Sequence, residues 1–280
     1  MEPTDIQAVA DPGKLEIATQ LARAEYIFVW HMDSDRDLPA RLAPHYALLG
    51  GRPDAGTVFR RATDYGEQIL LPLVGSTIDR GAPAGMSWRV EQSVRNSGPT
   101  PVTLLLFISG GQTASFDLAP GASAPIAANA PYAFASLPRN DAESVQFTTV
   151  LRRVDAAGNG ASVSVPAVRA RDFRAGSLAI QSVPFADPYR VALRVWTQGA
   201  RPQSVLVTLR DTAGRALAFR QLPINDRGAG ALSDLVHDFG DVPQRRQPVT
   251  ITVEAPGAKL WAFASAVDPN VAAPALHFPR

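Results

Sequence analysis

A chain of 280 residues, 46% of them hydrophobic, is long and apolar enough for two domains of ordinary size, each with its own core. Its 27 basic and 26 acidic residues leave a net charge of +1, which lacks the strongly basic footprint of a nucleic-acid-binding protein. Because cysteine is absent, the sequence excludes a disulfide framework, a thiolate zinc site and a cysteine nucleophile.

The first predicted elements lie in residues 1–67. Asp11-Pro12 is a typical helix start, and apolar residues recur at helical spacing over 14–25, which predicts a short amphipathic helix. The aromatic and β-branched run Tyr26–Trp30 predicts a buried strand. Residues 31–67 are predicted as loops. Neither a signal peptide nor an apolar run of membrane-spanning length is found, so no membrane insertion is expected.

From Gln68 onward, strand and turn patterns alternate steadily. Trp88–Val94 places apolar residues at every second position, which is typical of a strand with one buried face. Val102–Ile108 is followed by Gly110-Gly111, which predicts a strand and a tight hairpin. Further strands are predicted at 69–74, 114–118, 145–154 and 161–165.

The second half repeats this order at a spacing of about 100 residues. Tyr189–Trp196 alternates as Trp88–Val94 does, and Val205–Arg210 corresponds to Val102–Ile108. A hairpin is predicted around Pro256-Gly257-Ala258, between strands at 249–254 and 260–267. About seven short strands per 100 residues is the size of an immunoglobulin-like sandwich.

The sequence therefore predicts an all-β fold. A short N-terminal α/β segment is expected over 1–67, followed by two tandem immunoglobulin-like β-sandwich domains over 68–170 and 171–280. In such sandwiches alternate side chains enter the space between two sheets, and a slip of one residue would bury the intervening arginines.

Four stretches carry a resemblance: Pro72–Thr77, Trp88–Gly98, Asp117–Gly121 and Ala262–Asp268. Their order resembles the tandem immunoglobulin- or fibronectin-like β-sandwich repeats of exported bacterial surface or secreted proteins, and it covers roughly residues 68–280. The resemblance implies a non-catalytic structural or adhesive protein, secreted or at the cell surface, that acts through a protein partner or self-association. It brings no active site with it.

One stretch, 31–37, is dense in potential metal ligands. Asp33, Asp35 and Asp37 stand at alternate positions, like the opening of a calcium loop, where hard carboxylate oxygens surround a hard cation. Leu38 then occupies the place of the loop glycine, and Pro44 that of the bidentate glutamate. We interpret the stretch as a solvated acidic turn and keep calcium binding as the alternative. No other cofactor is predicted.

No catalytic motif is found. The four histidines have no metal-binding spacing, and there is no Gly-x-Ser-x-Gly elbow or phosphate-binding glycine loop. The chain is therefore predicted not to be an enzyme. A remaining enzymatic hypothesis places a site within 1–67, in a pocket that holds His31 with Asp33 or Asp35.

The four tryptophans are the remaining candidates for ligand binding. Exposed aromatic rings stack on sugar rings, so Trp30, Trp88, Trp196 and Trp261 keep polysaccharide binding open as the alternative function. Trp88, Trp196 and Trp261 lie among alternating apolar residues, which favours a place in the core.

Overall fold

In a computed structural model of this chain, antiparallel strands form nearly all the regular structure of the described residues, so the predicted all-β character is confirmed. The structure describes residues 26–30, 42, 46–52, 55–61, 67–74, 86–109, 113–128, 130–158, 160–186, 188–199, 202–225, 227–240, 242, 247–268 and 275–279. The predicted helix over 14–25 lies outside these residues. Within them, no helix is long and apolar enough to cross a membrane.

The strands are β1 (Tyr26–Val29), β2 (Tyr46–Arg52), β3 (Gly56–Arg61), β4 (Glu67–Leu71), β5 (Met86–Asn96), β6 (Val102–Ile108), β7 (Thr113–Leu118), β8 (Ser123–Pro125), β9 (Ala133–Leu137), β10 (Val145–Asp155), β11 (Ser162–Ser164), β12 (Val168–Arg169), β13 (Arg174–Val183), β14 (Arg190–Gly199), β15 (Ser204–Arg210), β16 (Ala216–Pro223), β17 (Ala229–Leu232), β18 (Val249–Val267) and β19 (Ala275–His277). Short 3-10 turns occupy Arg139–Ser144 and Ala170–Asp172, and a single α-helical turn, α1, occupies Leu235–Asp238.

The chain divides into two compact units, each built from several segments. Unit 1 comprises 1–68, 95–124 and 133–146, and unit 2 comprises 69–94, 125–132 and 147–280. The domain boundaries predicted above, at 67/68 and 170/171, stay predictions.

Unit 1 contains a three-stranded antiparallel sheet in the order β1-β3-β2. Residues 46–52 and 56–61 form β2 and β3, where the sequence predicts loops. The prediction was wrong there because β2 holds Gly50-Gly51 and a register shift beyond Leu48, which hide its period of two. Hydrogen bonds to the central strand β3 hold β2 in place without that pattern.

One face of this sheet carries a small core. It consists of the buried residues Ile27, Leu42, Tyr46 and Phe59, with Val29 packed against them. Elsewhere in unit 1, β6 lies between β7 and β9, and its bounds are those that the sequence predicts. The antiparallel pairing of β6 with β7 confirms the predicted hairpin.

Unit 2 contains a seven-stranded antiparallel sheet organised around β18, which is 19 residues long. The first part of β18 pairs with β15, and its second part pairs with β14 and β19. β13 pairs with both parts, with a register shift between Ala175 and Ser177. The strand runs through Pro256-Gly257, where the sequence predicts a hairpin. Gly257 has a φ of 80°, so the chain bends there without reversing, and β13 continues along β18 on both sides of the bend.

The main core of unit 2 lies on one side of these strands. Alternate residues of each strand enter it, as the period-two patterns of β14 and β15 predict. They include Val191, Leu193, Val195, Val205, Val207, Leu209, Ile251 and Val253. A second cluster in the same unit joins Leu73, Trp88, Leu151 and Val165. The hairpin predicted between 145–154 and 161–165 is confirmed by the pairing of β10 with β11.

Candidate binding surface

The outer face of the three-stranded sheet in unit 1 exposes large apolar side chains to solvent. Tyr26 is 52% exposed, Phe28 59% and Trp30 65%. The edge strand β2 also exposes Leu48 at 63% and Leu49 at 58%, but Leu48 stands opposite Phe59 and so belongs to the other side of the sheet. These five form nearly all of the large exposed apolar side chains in the described part of the chain; the other is Phe219 on β16. An exposed apolar patch of this density is typical of an interaction site.

The pleat of β1 explains why these rings face solvent. Successive side chains of a strand point to opposite faces, so Ile27 and Val29 enter the small core while Tyr26, Phe28 and Trp30 face outward. The predicted strand is therefore confirmed, but its predicted burial holds for one face only. An unbroken run of five apolar residues conceals which of the two faces is covered.

The pairing register shows which residues of β3 lie beside the rings. Tyr26 stands opposite Arg60, and Phe28 stands opposite Val58. Directly opposed residues share a face of the sheet, so Tyr26, Phe28, Trp30, Val58 and Arg60 form one surface, which we call the aromatic face.

Ring contacts order the aromatic face. The ring centroids of Phe28 and Trp30 are 5.8 Å apart with an interplanar angle of 46°. At the other end of β1, Arg60 Cζ lies 5.9 Å from the centroid of the Tyr26 ring, within cation–π range. The Phe28 ring lies across Gly56 of β3, where a Cβ atom would overlap it. Such an aromatic cover over a strand glycine excludes water from bare backbone.

The four predicted tryptophan sites differ in exposure. Trp88, Trp196 and Trp261 are buried in unit 2, and Trp30 is exposed in unit 1. Trp196 lies 5.5 Å from the Trp261 ring and stacks on Phe263 at 6.0 Å with an interplanar angle of 14°. Aromatic pairs in this arrangement stabilise a core. Trp30 is therefore the one predicted tryptophan whose ring is accessible to a ligand.

The predicted calcium ligands Asp33, Asp35 and Asp37 lie outside the described residues, as does His31. The calcium site and the pocket hypothesis therefore stay predictions. Among the residues that the structure does describe, no group of three His, Asp or Glu side chains could hold a metal ion.

His277 on β19 is half-buried, and this burial lowers the pKa of its imidazole, against the opposing effect of a backbone hydrogen bond at Gln181.

Arginine is the one charged residue type on the described residues of β1, β2 and β3. Arg52 stands opposite Gly56 at one end of the sheet, and Arg60 stands opposite Tyr26 at the other. Both side chains are exposed. Since opposed residues share a face, both arginines belong to the same side of the sheet as the aromatic rings.

Comparison with known proteins assigns no family to this chain. No protein-family model, no curated protein and no solved structure matches it. Tyrosine, tryptophan, phenylalanine and arginine are the types enriched at the centres of protein–protein interfaces, where lysine and acidic residues are depleted.

Proposed function

We propose that this chain is a non-catalytic structural or adhesive protein that acts outside the cytoplasm through protein–protein contacts, with the aromatic face as a contact surface. The observation that carries the proposal is the outward row of Tyr26 and Phe28 on a paired strand, continued by Trp30 directly after it. The backbone of a sheet is already ordered, so binding of a partner to this row costs the protein little additional conformational entropy.

The energy available from this surface is of the size that recognition needs. Covering three half-exposed aromatic rings removes on the order of 400 Å² of apolar surface from water, worth on the order of 10 kcal/mol before opposing terms. Association entropy and side-chain ordering offset much of that gain. Tryptophan, tyrosine and arginine are also the residues that most often dominate measured binding energies.

The extracytoplasmic location and the tandem organisation are parts of the same proposal. They rest on the resemblance to exported sandwich repeats. The strand pairs β6–β7 and β15–β16 support the repeat, because both are antiparallel hairpins at corresponding places in the predicted order: Val102 pairs with Leu118, and Val205 pairs with Leu222. Two immunoglobulin-like sandwiches of this kind would display binding surfaces on a stable scaffold.

Selection from a random peptide display library tests the proposal. The full chain is immobilised beside a double variant, Phe28→Thr with Trp30→Thr, and beside the control Phe219→Thr, which removes a ring on β16 that is more exposed than either. We expect the wild type and the control to enrich the same peptides and the double variant to lose them. Failure to enrich any peptide, or enrichment that survives in the double variant, would overturn the proposal.

Carbohydrate binding through Trp30 is the second candidate function. The exposed Trp30 ring favours it, since indole rings stack on sugars. The tilt of 46° between Phe28 and Trp30 means that the two rings do not form one flat platform, so a flat sugar face stacks on only one of them. Binding of the wild type to soluble polysaccharides in affinity electrophoresis, lost on Trp30→Ala, would favour the carbohydrate function over the protein one.

A further inference from the structure

We propose that β19 is a pH-sensitive clasp, which covers aromatic side chains of unit 2 at neutral pH and detaches in mild acid when His277 takes up a proton. This inference goes beyond the proposed function and is independent of the aromatic face. Three features of β19 support it: the ring that follows the strand and covers its neighbours, the buried nitrogen of His277, and the small number of residue pairs that hold the strand.

The side chains on one face of the β19 segment cover apolar residues of unit 2. The Phe278 ring, directly after β19, lies 6.2 Å from the Trp261 ring and 6.2 Å from the Phe263 ring, and both of these residues are 5% exposed. Leu276 precedes Phe278 by two positions and packs against the cluster that contains Trp88. Detachment of β19 would therefore open buried aromatic rings to solvent.

His277 points to the opposite face, towards the main core of unit 2. It stands opposite Ala264, which belongs to that core. Its Nε2 is buried and has no hydrogen-bond partner. A backbone hydrogen bond at Gln181 favours the protonated ring, so the ring donates it to the Gln181 carbonyl oxygen. Gln181 and Ser182 lie in a register shift of β13 that removes both residues from the pairing with β18.

A proton on Nε2 would be costly while β19 is docked. The neutral ring needs only one hydrogen-bond acceptor, which Gln181 supplies, whereas the protonated ring has a second N–H group and a charge. A buried donor without an acceptor costs free energy, and burial accordingly lowers the pKa of His277. The detached strand therefore binds the proton more readily, and docking weakens as the pH falls below about 6.5, the ordinary pKa of histidine.

Charged side chains do not offset this cost on the described residues of the neighbouring strands. No charged group is among the causes that shift the pKa of His277. The charged residues on β13, on β18 and directly after β18 all lie at least four positions along β18 from the partner of His277, which is about 13 Å or more. They are Arg174, Glu254, Lys259 and Asp268.

The strand is held by few enough contacts for one proton to matter. Its three residues pair with 264–266, and among the described strands β19 pairs with β18 alone. A short strand of this kind can open at a free energy well below that of global unfolding. Uptake of one proton can therefore shift the docking of β19 while the rest of the sheet stays folded.

Acrylamide quenching of tryptophan fluorescence tests the proposal. The full chain carries Trp30→Phe, so that its remaining indoles are the three that are buried in unit 2. We expect the quenching constant to rise at least about twofold between about pH 7.5 and about pH 5, the range in which histidine titrates. Acrylamide is uncharged, so its own access does not depend on the charge of the protein.

Four variants in this background identify the cause. His277→Gln and His277→Leu cannot take up the proton, and both should keep quenching low at either pH. The matched control His237→Gln replaces an exposed histidine of the same unit and should respond as the parent does. Phe278→Ala removes the ring that lies beside Trp261 and should raise quenching even at neutral pH.

Hydrogen exchange followed by mass spectrometry distinguishes detachment of β19 from unfolding of the unit. After correction for the intrinsic pH dependence of exchange, we expect protection of residues 275–278 to fall about tenfold at about pH 5. Strands β14 and β15 should keep their protection. In His277→Gln, residues 275–278 should keep theirs as well.

Several results would overturn the clasp. They are quenching that does not change with pH, a pH response that persists in either neutral variant of His277, and a response that is lost in His237→Gln. Loss of protection in β14 and β15 together with β19 would show that acid unfolds the unit, and it would overturn the clasp too. The proposed contact function is decided by the peptide selection and is unaffected by these results.

Discussion

Asn96 illustrates how much structure a single side chain can organise. Its buried amide donates hydrogen bonds to the carbonyl oxygens of Thr100 at 2.7 Å and Leu118 at 3.0 Å, and its Oδ1 accepts one from the Gly98 N–H at 2.9 Å. The sequence predicts a turn at this position, because Asn-Ser-Gly-Pro favours one. The fold decides that the amide is buried and that it joins the turn to β7.

We expect Asn96→Ala to lower the free energy of unfolding by about 2–3 kcal/mol, because two carbonyls and one N–H lose their partner in a buried place. Chemical denaturation measures it. Ser97→Ala is the matched control: its hydroxyl also bonds a backbone carbonyl, that of Ser144 at 2.6 Å, but in an exposed position, so its cost should stay below about 0.5 kcal/mol. Equal costs at the two positions would contradict the role of Asn96.

The hydrogen bonds of the Asp211 carboxylate lead us to expect that stability depends on pH. Its carboxylate accepts hydrogen bonds from Arg215 Nε and the Arg215 N–H, each at 2.8 Å, and from the Ala213 N–H at 2.9 Å. The side-chain hydrogen bond of Arg215 is the main cause that lowers the pKa of Asp211, and desolvation opposes it. A carboxyl with a lowered folded-state pKa stabilises the fold above its unfolded pKa, and the stability is lost as the pH falls through the folded value.

We therefore expect the wild type to be more stable than Asp211→Asn at about pH 7 and the difference to close below about pH 4, near the unfolded pKa of a carboxyl. Thermal unfolding of both proteins across this pH range measures the difference. A difference that stays constant with pH would show that the loop gains nothing from the charge of Asp211.

At the scale of elements, β18 is where local pattern and tertiary context disagree. Its Pro256-Gly257 pair suits a hairpin and a bent strand equally well, because both need a glycine with positive φ. The partners of β18 decide between them: Leu260 and Lys259 pair with β14, whereas Val253 and Glu254 pair with β15. These partners lie tens of residues away in the chain, so no local pattern contains the answer.

We expect Gly257→Ala to cost about 1–2 kcal/mol in unfolding free energy. The added Cβ would meet no neighbouring atom, so the cost is that of placing an L-residue at a φ of 80°. Denaturant titration measures it against Lys259→Ala, an exposed position in the same strand, which should change stability by less than about 0.5 kcal/mol. A neutral Gly257→Ala would argue against the bend.

At the scale of the whole molecule, tryptophan exposure distinguishes the two units. Trp30 in unit 1 is accessible, and the three tryptophans in unit 2 are buried. We expect iodide to quench one component of the intrinsic fluorescence and Trp30→Phe to remove that component. Trp261→Phe should leave it in place. Quenching that persists in Trp30→Phe would mean that another indole is accessible to solvent.

The sequence by itself determined the all-β class, most strand positions after residue 68 and the absence of recognisable catalytic motifs. These follow from local pattern: β6 is a short, mostly apolar run that ends before a glycine pair, and its observed bounds are the predicted ones. It also identified Trp30 as a candidate ligand residue, together with three tryptophans that pack inside the protein.

Only the tertiary structure decided which side of β1 is covered. Ile27 is buried by Leu42, Tyr46 and Phe59, residues that the run Tyr26–Trp30 does not contain, and the rings on the opposite side are left to solvent. The two-residue period of a strand predicts that its side chains form two faces. Which face is buried depends on the residues from the rest of the chain that pack against it. For the same reason, the alignment of Arg52 and Arg60 with the aromatic rings depends on the pairing register, which forms between strands that are separate in sequence.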